Sequence, residues 1–86
     1  MERAAYERLR WRCSRRAMLE MDLLLTRFLE TEFSSLSPEA QAAFVEMADL
    51  EDRPIWLWIS GQESCPRPDF APLIARLQAL SAARPT

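Results

Sequence analysis

Apolar residues recur along this chain at three- and four-residue intervals, and Pro, Ser and Gly cut the recurrence into five pieces. The first, about residues 2–14, sets Ala5, Leu9 and Cys13 four apart with Tyr6 beside them, while Arg and Glu fill most of the rest. This pattern predicts a short amphipathic helix. The second, about residues 17–34, carries Met21, Leu24, Leu25, Phe28, Leu29 and Phe33, with Leu36 just beyond, and is the strongest helical period in the chain. Ser37-Pro38-Glu39 reads as an N-cap, a proline at the first helical position and an acid in the first turn. A third helix follows to about Leu50, burying Phe44, Met47 and Leu50. Asp52 is the expected cap of a fourth, from Arg53 to about Ser60, with Gly61 as its stop. Residues 62–68 read as a loop. Asp69 is the expected cap of a fifth helix striped by Phe70, Leu73, Ile74, Leu77 and Leu80, with Pro72 in its first turn, where a missing N–H costs nothing.

The run Ile55-Trp56-Leu57-Trp58-Ile59 suits a strand as well as a helix by composition. No second strand candidate exists to pair with it, so a helix is expected. Trp56 and Trp58 then lie about 200° apart around the axis, one in the core and the other over a helix edge or a partner. The expected fold is all-α, a compact bundle of five short helices in a single domain over residues 1–86. Its core holds Phe28, Phe33, Phe44, Leu77 and one Trp.

Composition removes whole classes of chemistry. The 86 residues contain no His, one Gly and two Cys. Without His there is no Ser-His or Cys-His nucleophile pair and no His-based metal site. A single Gly excludes Gly-rich phosphate loops. Cys13 and Cys65 are too few for a zinc site or a disulfide framework. A lone bridge between them and two buried thiols both fit the sequence, the thiols being the expected state in a reducing compartment. The five-residue apolar run at 55–59 is the longest, against the ~20 residues of a membrane span. The first twelve residues lack the apolar stretch of a secretory signal.

The net charge of −2 conceals segregation. Residues 1–19 hold six Arg and two acids, residues 20–52 nine acids and only Arg27, and residues 53–86 four Arg and two acids. All eleven cations are Arg, the better group for bidentate pairing with carboxylate or phosphate. Arg8, Arg10, Arg12, Arg15 and Arg16 around Trp11 suit a nucleic-acid face, although the sequence pI of 5.1 opposes it. Glu20 and Asp22 as an acid–base pair would make an enzyme, but alternate positions on a helix point to different faces.

The most informative stretch is Arg15-Arg16-Ala17-Met18-Leu19-Glu20-Met21-Asp22, at the boundary between basic and acidic segments. If it is helical, Arg16 and Glu20 share a face at i, i+4. The stretch resembles the R-G-M-x-E-x-D signature of the SdhE family of small assembly factors. Arg8-Leu9-Arg10-Trp11 resembles the family's opening helix, Phe28-Leu29-Glu30 with Glu32-Phe33 its second helix, and Leu36-Ser37-Pro38-Glu39 its Leu-Ser turn. Glu51-Asp52 followed by Ile55, Trp56, Trp58 and Ile59 resembles its fourth helix, so that the likeness covers about residues 8–80.

The resemblance implies a non-enzymatic factor that docks on the flavoprotein subunit of succinate dehydrogenase or fumarate reductase and promotes covalent attachment of FAD to a His of that subunit. It implies no stably bound cofactor, no nucleic-acid partner, no membrane insertion and a monomer. The signature falls on Arg16, Ala17, Glu20 and Asp22. Arg15, Met18, Arg8 and Trp11 complete the expected partner-binding patch. The likeness begins within the first ten residues, which points to a bacterial cytoplasmic protein. Two departures stand out. The family's Gly is Ala17, which would strain a left-handed backbone by ~1 kcal/mol or crowd a close approach. One extra residue near Ser14 would turn a continuous helix by about 100°, so a helix break around residues 14–17 is expected.

Overall fold

A computed structural model describes residues 1–82. The helices among them are α1 (Arg3–Ser14), α2 (Leu19–Thr31), α3 (Pro38–Ala48), α4 (Asp52–Ile59) and α5 (Ala71–Ala82), with a 3-10 turn at Phe33–Ser35 and no strand. The all-α five-helix architecture is the one the periodicity predicts. The expected break holds too, since α1 stops at Ser14 and α2 starts at Leu19.

Local chemistry accounts for several boundaries. The Ser37 hydroxyl accepts from the Ala40 N–H at 3.2 Å, and Pro38 opens α3, satisfying a donor that has no partner within the helix. Gly61, at φ 80°, closes α4. Its N–H reaches the Trp58 carbonyl while that of Gln62 reaches Leu57, the paired bonds of a Schellman ending. Pro72 lies in the first turn of α5 as expected.

Two expected caps take other roles. Glu51 precedes α4 without a side-chain cap, and Asp52 is the helix's first residue, its carboxylate drawn to Arg16 instead. α5 begins at Ala71 rather than directly after Asp69, whose carboxylate is bound by Arg67. In both cases the carboxylate pairs with a guanidinium, a charge-assisted bond between two ions.

α2 is the central element, packed against α1 and α5; α3 meets α1, and α4 meets α5. The buried side chains include Leu9, Met21, Leu25, Phe28, Phe33, Phe44, Met47, Ile55, Trp58 and Leu77. Phe28 and Phe44 stack at 5.0 Å. Trp58 is core and Trp56 is half-buried, the division expected of the pair. The sequence's charge blocks also meet in space. Arg10 of α1 pairs with Glu30 of α2, Arg67 with Glu46 of α3, and Arg76 of α5 with Glu32. The segregation is thus largely internal complementarity. No described helix is long and apolar enough to cross a membrane.

Candidate functional site

The signature stretch does not form one helix. Residues 15–18 connect α1 to α2 with a backbone that leaves the α region: Arg15 at φ −117°, ψ 41°, and Met18 at φ −95°, ψ 124°. Arg16 and Glu20 therefore do not share a helical face, which corrects the i, i+4 expectation. Only Glu20 and Asp22 lie on α2, in its first turn, where carboxylates oppose the positive end of the helix dipole.

Arg16 turns inward. Its Nε donates to Asp52 Oδ1, Nη1 to the Ala48 carbonyl and Nη2 to the Leu50 carbonyl, each at 2.6 Å. The other carboxylate oxygen of Asp52 accepts the Met18 N–H at 2.9 Å. The two side chains are 8% and 10% exposed, so the pair is mostly enclosed, while both residues still border the groove beside them. These bonds fix the connection against the α3–α4 junction. Both charges suit their positions. The cation covers a carbonyl left open at the end of α3, and the anion sits in the first turn of α4. Removing either partner would leave a mostly enclosed charge without its counter-ion, a larger loss than for the exposed pairs.

The remaining members of the patch face outward. Between residues 15–18 and residues 50–53 lies an open groove of about 430 Å³, lined by Arg15, Arg16, Ala17 and Met18 on one side and by Leu50, Glu51, Asp52 and Arg53 on the other. Ala17 is exposed and Met18 half-buried against the core. No residue other than Gly61 has positive φ among the described residues. Ala17 therefore imposes no left-handed strain, and only the steric consequence of its methyl remains. Arg15 lies over the exposed Trp11 ring at 5.2 Å. Arg8 is exposed on α1 and Glu20 on α2.

Asp22 lines a second groove of about 340 Å³, with Ser14, Leu23, Thr26, Arg27 and Glu30. Apart from Met1, the large exposed apolar side chains among the described residues, Trp11, Leu19 and Leu23, lie on the last turn of α1 or the first half of α2. Leu19 and Leu23, four residues apart, were not singled out by sequence; their signal was the i, i+4 spacing outside the buried stripe. Asp52 and its role in the connection were missed as well, because nine acids between residues 20 and 52 offered themselves to Arg16.

The basic residues of α1 are mostly engaged within the fold. On α1, Arg10 bonds Glu30 and Arg12 approaches Asp49 at 3.9 Å; beyond the helix, Arg16 is clamped by Asp52. A contiguous phosphate-binding face needs unpaired cations, and this pairing removes most of it. Both cysteines are free thiols: Cys13 is buried as expected, whereas Cys65 is only partly so.

Residues 7–81 match the family described as flavinator of succinate dehydrogenase. The chain is 34% identical to the FAD assembly factor SdhE of Shewanella oneidensis over 95% of its own length and 99% of that relative's. It is 40% identical to the FAD assembly factor SdhE of Xylella fastidiosa, over 94% of this chain and 82% of the relative. To the protein of the same description from Coxiella burnetii it is 36% identical over 93% and 96%.

Proposed function

This chain belongs to the flavinator of succinate dehydrogenase family, and from that membership we propose that it docks on the flavoprotein subunit of succinate dehydrogenase, or of a related fumarate reductase, and promotes covalent attachment of FAD to that subunit. The observation that carries this reading is the extent of the match, which runs over residues 7–81 and so includes the whole connection and both grooves. In this reading the chain is not an enzyme. It binds no cofactor stably, acts as a monomer in the cytoplasm, and FAD ends on the partner.

The docking patch comprises Arg15, Ala17, Met18 and Glu20, flanked by Arg8 and Trp11 on α1 and by Asp22 on α2. Arg16 supports it from beneath. Exposed charge of both signs around an apolar ring is the composition of an interface centre with a polar rim, where Trp and Arg commonly carry most of the binding energy. The chain's contribution is selective binding of the flavoprotein conformation in which FAD and its acceptor His are in register. Such binding raises the population of that conformation by no more than its differential affinity.

The test is flavinylation of the purified flavoprotein apoprotein with FAD, with and without this chain, read as flavin fluorescence that survives denaturing electrophoresis. The chain should accelerate the appearance of that signal, and Glu20→Ala should reduce the acceleration. Equal rates with and without the chain would refute the proposal.

A further inference from the structure

We infer that Asp52 is a positioning residue for partner docking, acting through Arg16 to hold the connection between α1 and α2 in its binding conformation. The inference rests on the docking reading above and deepens it, since it assigns the shape of that surface to a mostly enclosed pair of residues at the base of the groove.

Four bonds converge at this point from separate elements. The Arg16 fork reaches the carbonyls of Ala48 and Leu50 and one oxygen of Asp52, while the second Asp52 oxygen takes the Met18 N–H. The partners are 32 to 36 residues apart in sequence. The end of α3, the start of α4 and the entry to α2 are thereby fixed to one another. Ala17 lies between the two tethered residues and is exposed. Its exposure and the opening of the 430 Å³ groove beside it follow from where Arg16 and Met18 are held.

A buried ion pair is poor evidence for stability by itself, because apolar residues of similar volume often serve as well or better. Its retention here is accounted for by what the fork does geometrically. A planar guanidinium with three separate acceptors fixes orientation as well as charge, which an ammonium cannot do. Polar groups are expensive to bury, and here each guanidinium nitrogen and each Asp52 oxygen has a partner, the kind of connected network that favours a unique arrangement.

The test separates geometry from stability and from charge. Arg16→Met/Asp52→Leu replaces the pair by apolar side chains, Arg16→Lys keeps the charge without the fork, and Asp52→Asn weakens the pair at constant shape. Each is measured for melting temperature, for amide hydrogen exchange at Met18, and for affinity to the flavoprotein subunit by titration calorimetry. Arg67→Ala, a loosened ion cluster away from the groove, is the control for general destabilisation. We expect the Met/Leu variant to remain folded, to lose Met18 amide protection at least tenfold, and to bind the partner at least tenfold more weakly. Lys at position 16 should fail to restore either property. Where Asp52→Asn folds, it should weaken binding more than Arg67→Ala at equal melting temperature.

Wild-type Met18 protection or wild-type affinity in the folded Met/Leu variant would overturn the inference while leaving the docking reading intact. Restoration by Lys would overturn it too, since charge alone would then suffice. Failure of the unaltered chain to bind the flavoprotein would instead refute the docking reading, and this inference with it.

Discussion

The guanidinium of Arg15 lies over the indole of Trp11, 5.2 Å from the ring centroid, and the ring is 60% exposed. A large aromatic surface left in water, with a cation across its face, adds little to folding. The same surface is worth much more when a partner covers it. Trp11→Ala should therefore change the unfolding free energy by no more than ~0.5 kcal/mol. Affinity for the flavoprotein should fall by roughly tenfold or more, the loss expected of an interface anchor of this type. Thermal denaturation and titration calorimetry on the same variant decide it. An unchanged affinity would remove Trp11 from the docking surface.

Ala17 occupies the position where the family signature carries Gly, and its backbone is not left-handed. The Cβ therefore costs the fold nothing, and Ala17→Gly should lower stability slightly, by ~0.4–1 kcal/mol, through the greater freedom of the unfolded chain. At an exposed site bordering an open groove, removal of the methyl should permit closer backbone approach by the partner. Calorimetry should record tighter binding by the glycine variant despite its lower melting temperature. Equal or weaker binding would show that the methyl does not oppose docking.

The five helices were legible because their apolar periods are long and their stops are chemical: Ser37-Pro38 at one start, Gly61 at one end. The connection at residues 15–18 was legible only through the tolerated extra residue near Ser14. What the sequence could not supply was the destination of the carboxylates. Asp52 and Asp69 each stand one or two residues ahead of a helical pattern, which is the local signature of a cap. Each is claimed by an Arg, Arg16 from 36 residues away and Arg67 from two. Side-chain pairing across the fold competes with local capping, and pattern alone carries no information on which prevails. The same limit applies to Arg16. Its position in the signature says that it matters, but the direction of its side chain is a tertiary fact. Phe33 is a milder case: it is buried as its spacing required, yet α2 ends at Thr31 and a 3-10 turn brings it to the core.

Gly61 offers a test of backbone conformation free of packing. A Cβ built there would meet nothing within 4 Å, so the only penalty for a side chain is the left-handed φ of 80°. Gly61→Ala should destabilise the protein by ~1 kcal/mol. Gly61→Asn should cost less, since Asn tolerates that region better. Denaturant unfolding that places the two variants in the reverse order would contradict a purely conformational origin. Flavinylation by either variant should be unchanged at temperatures where it is folded, because Gly61 lines neither groove of the docking corner.

The two thiols differ in a way that chemistry can read directly. Cys13 is fully buried, and burial pushes its thiol up from 9.0 to about 11, against the smaller opposing pull of the Arg16 and Arg12 charges. A raised folded-state value favours the protonated form. The resulting stability is complete below the unfolded thiol's value and declines as pH rises from 9.0 toward 11. Iodoacetamide at neutral pH should therefore modify the partly exposed Cys65 in the native protein and reach Cys13 only on unfolding. Cys13→Ala should cost ~1 kcal/mol near neutrality through the lost sulfur packing. The cost should shrink between pH 9 and 11, because the wild type loses its thiol contribution there and the variant has none to lose. Native labelling of Cys13 at the rate of Cys65, or a cost that stays constant across that interval, would contradict a closed core around α1.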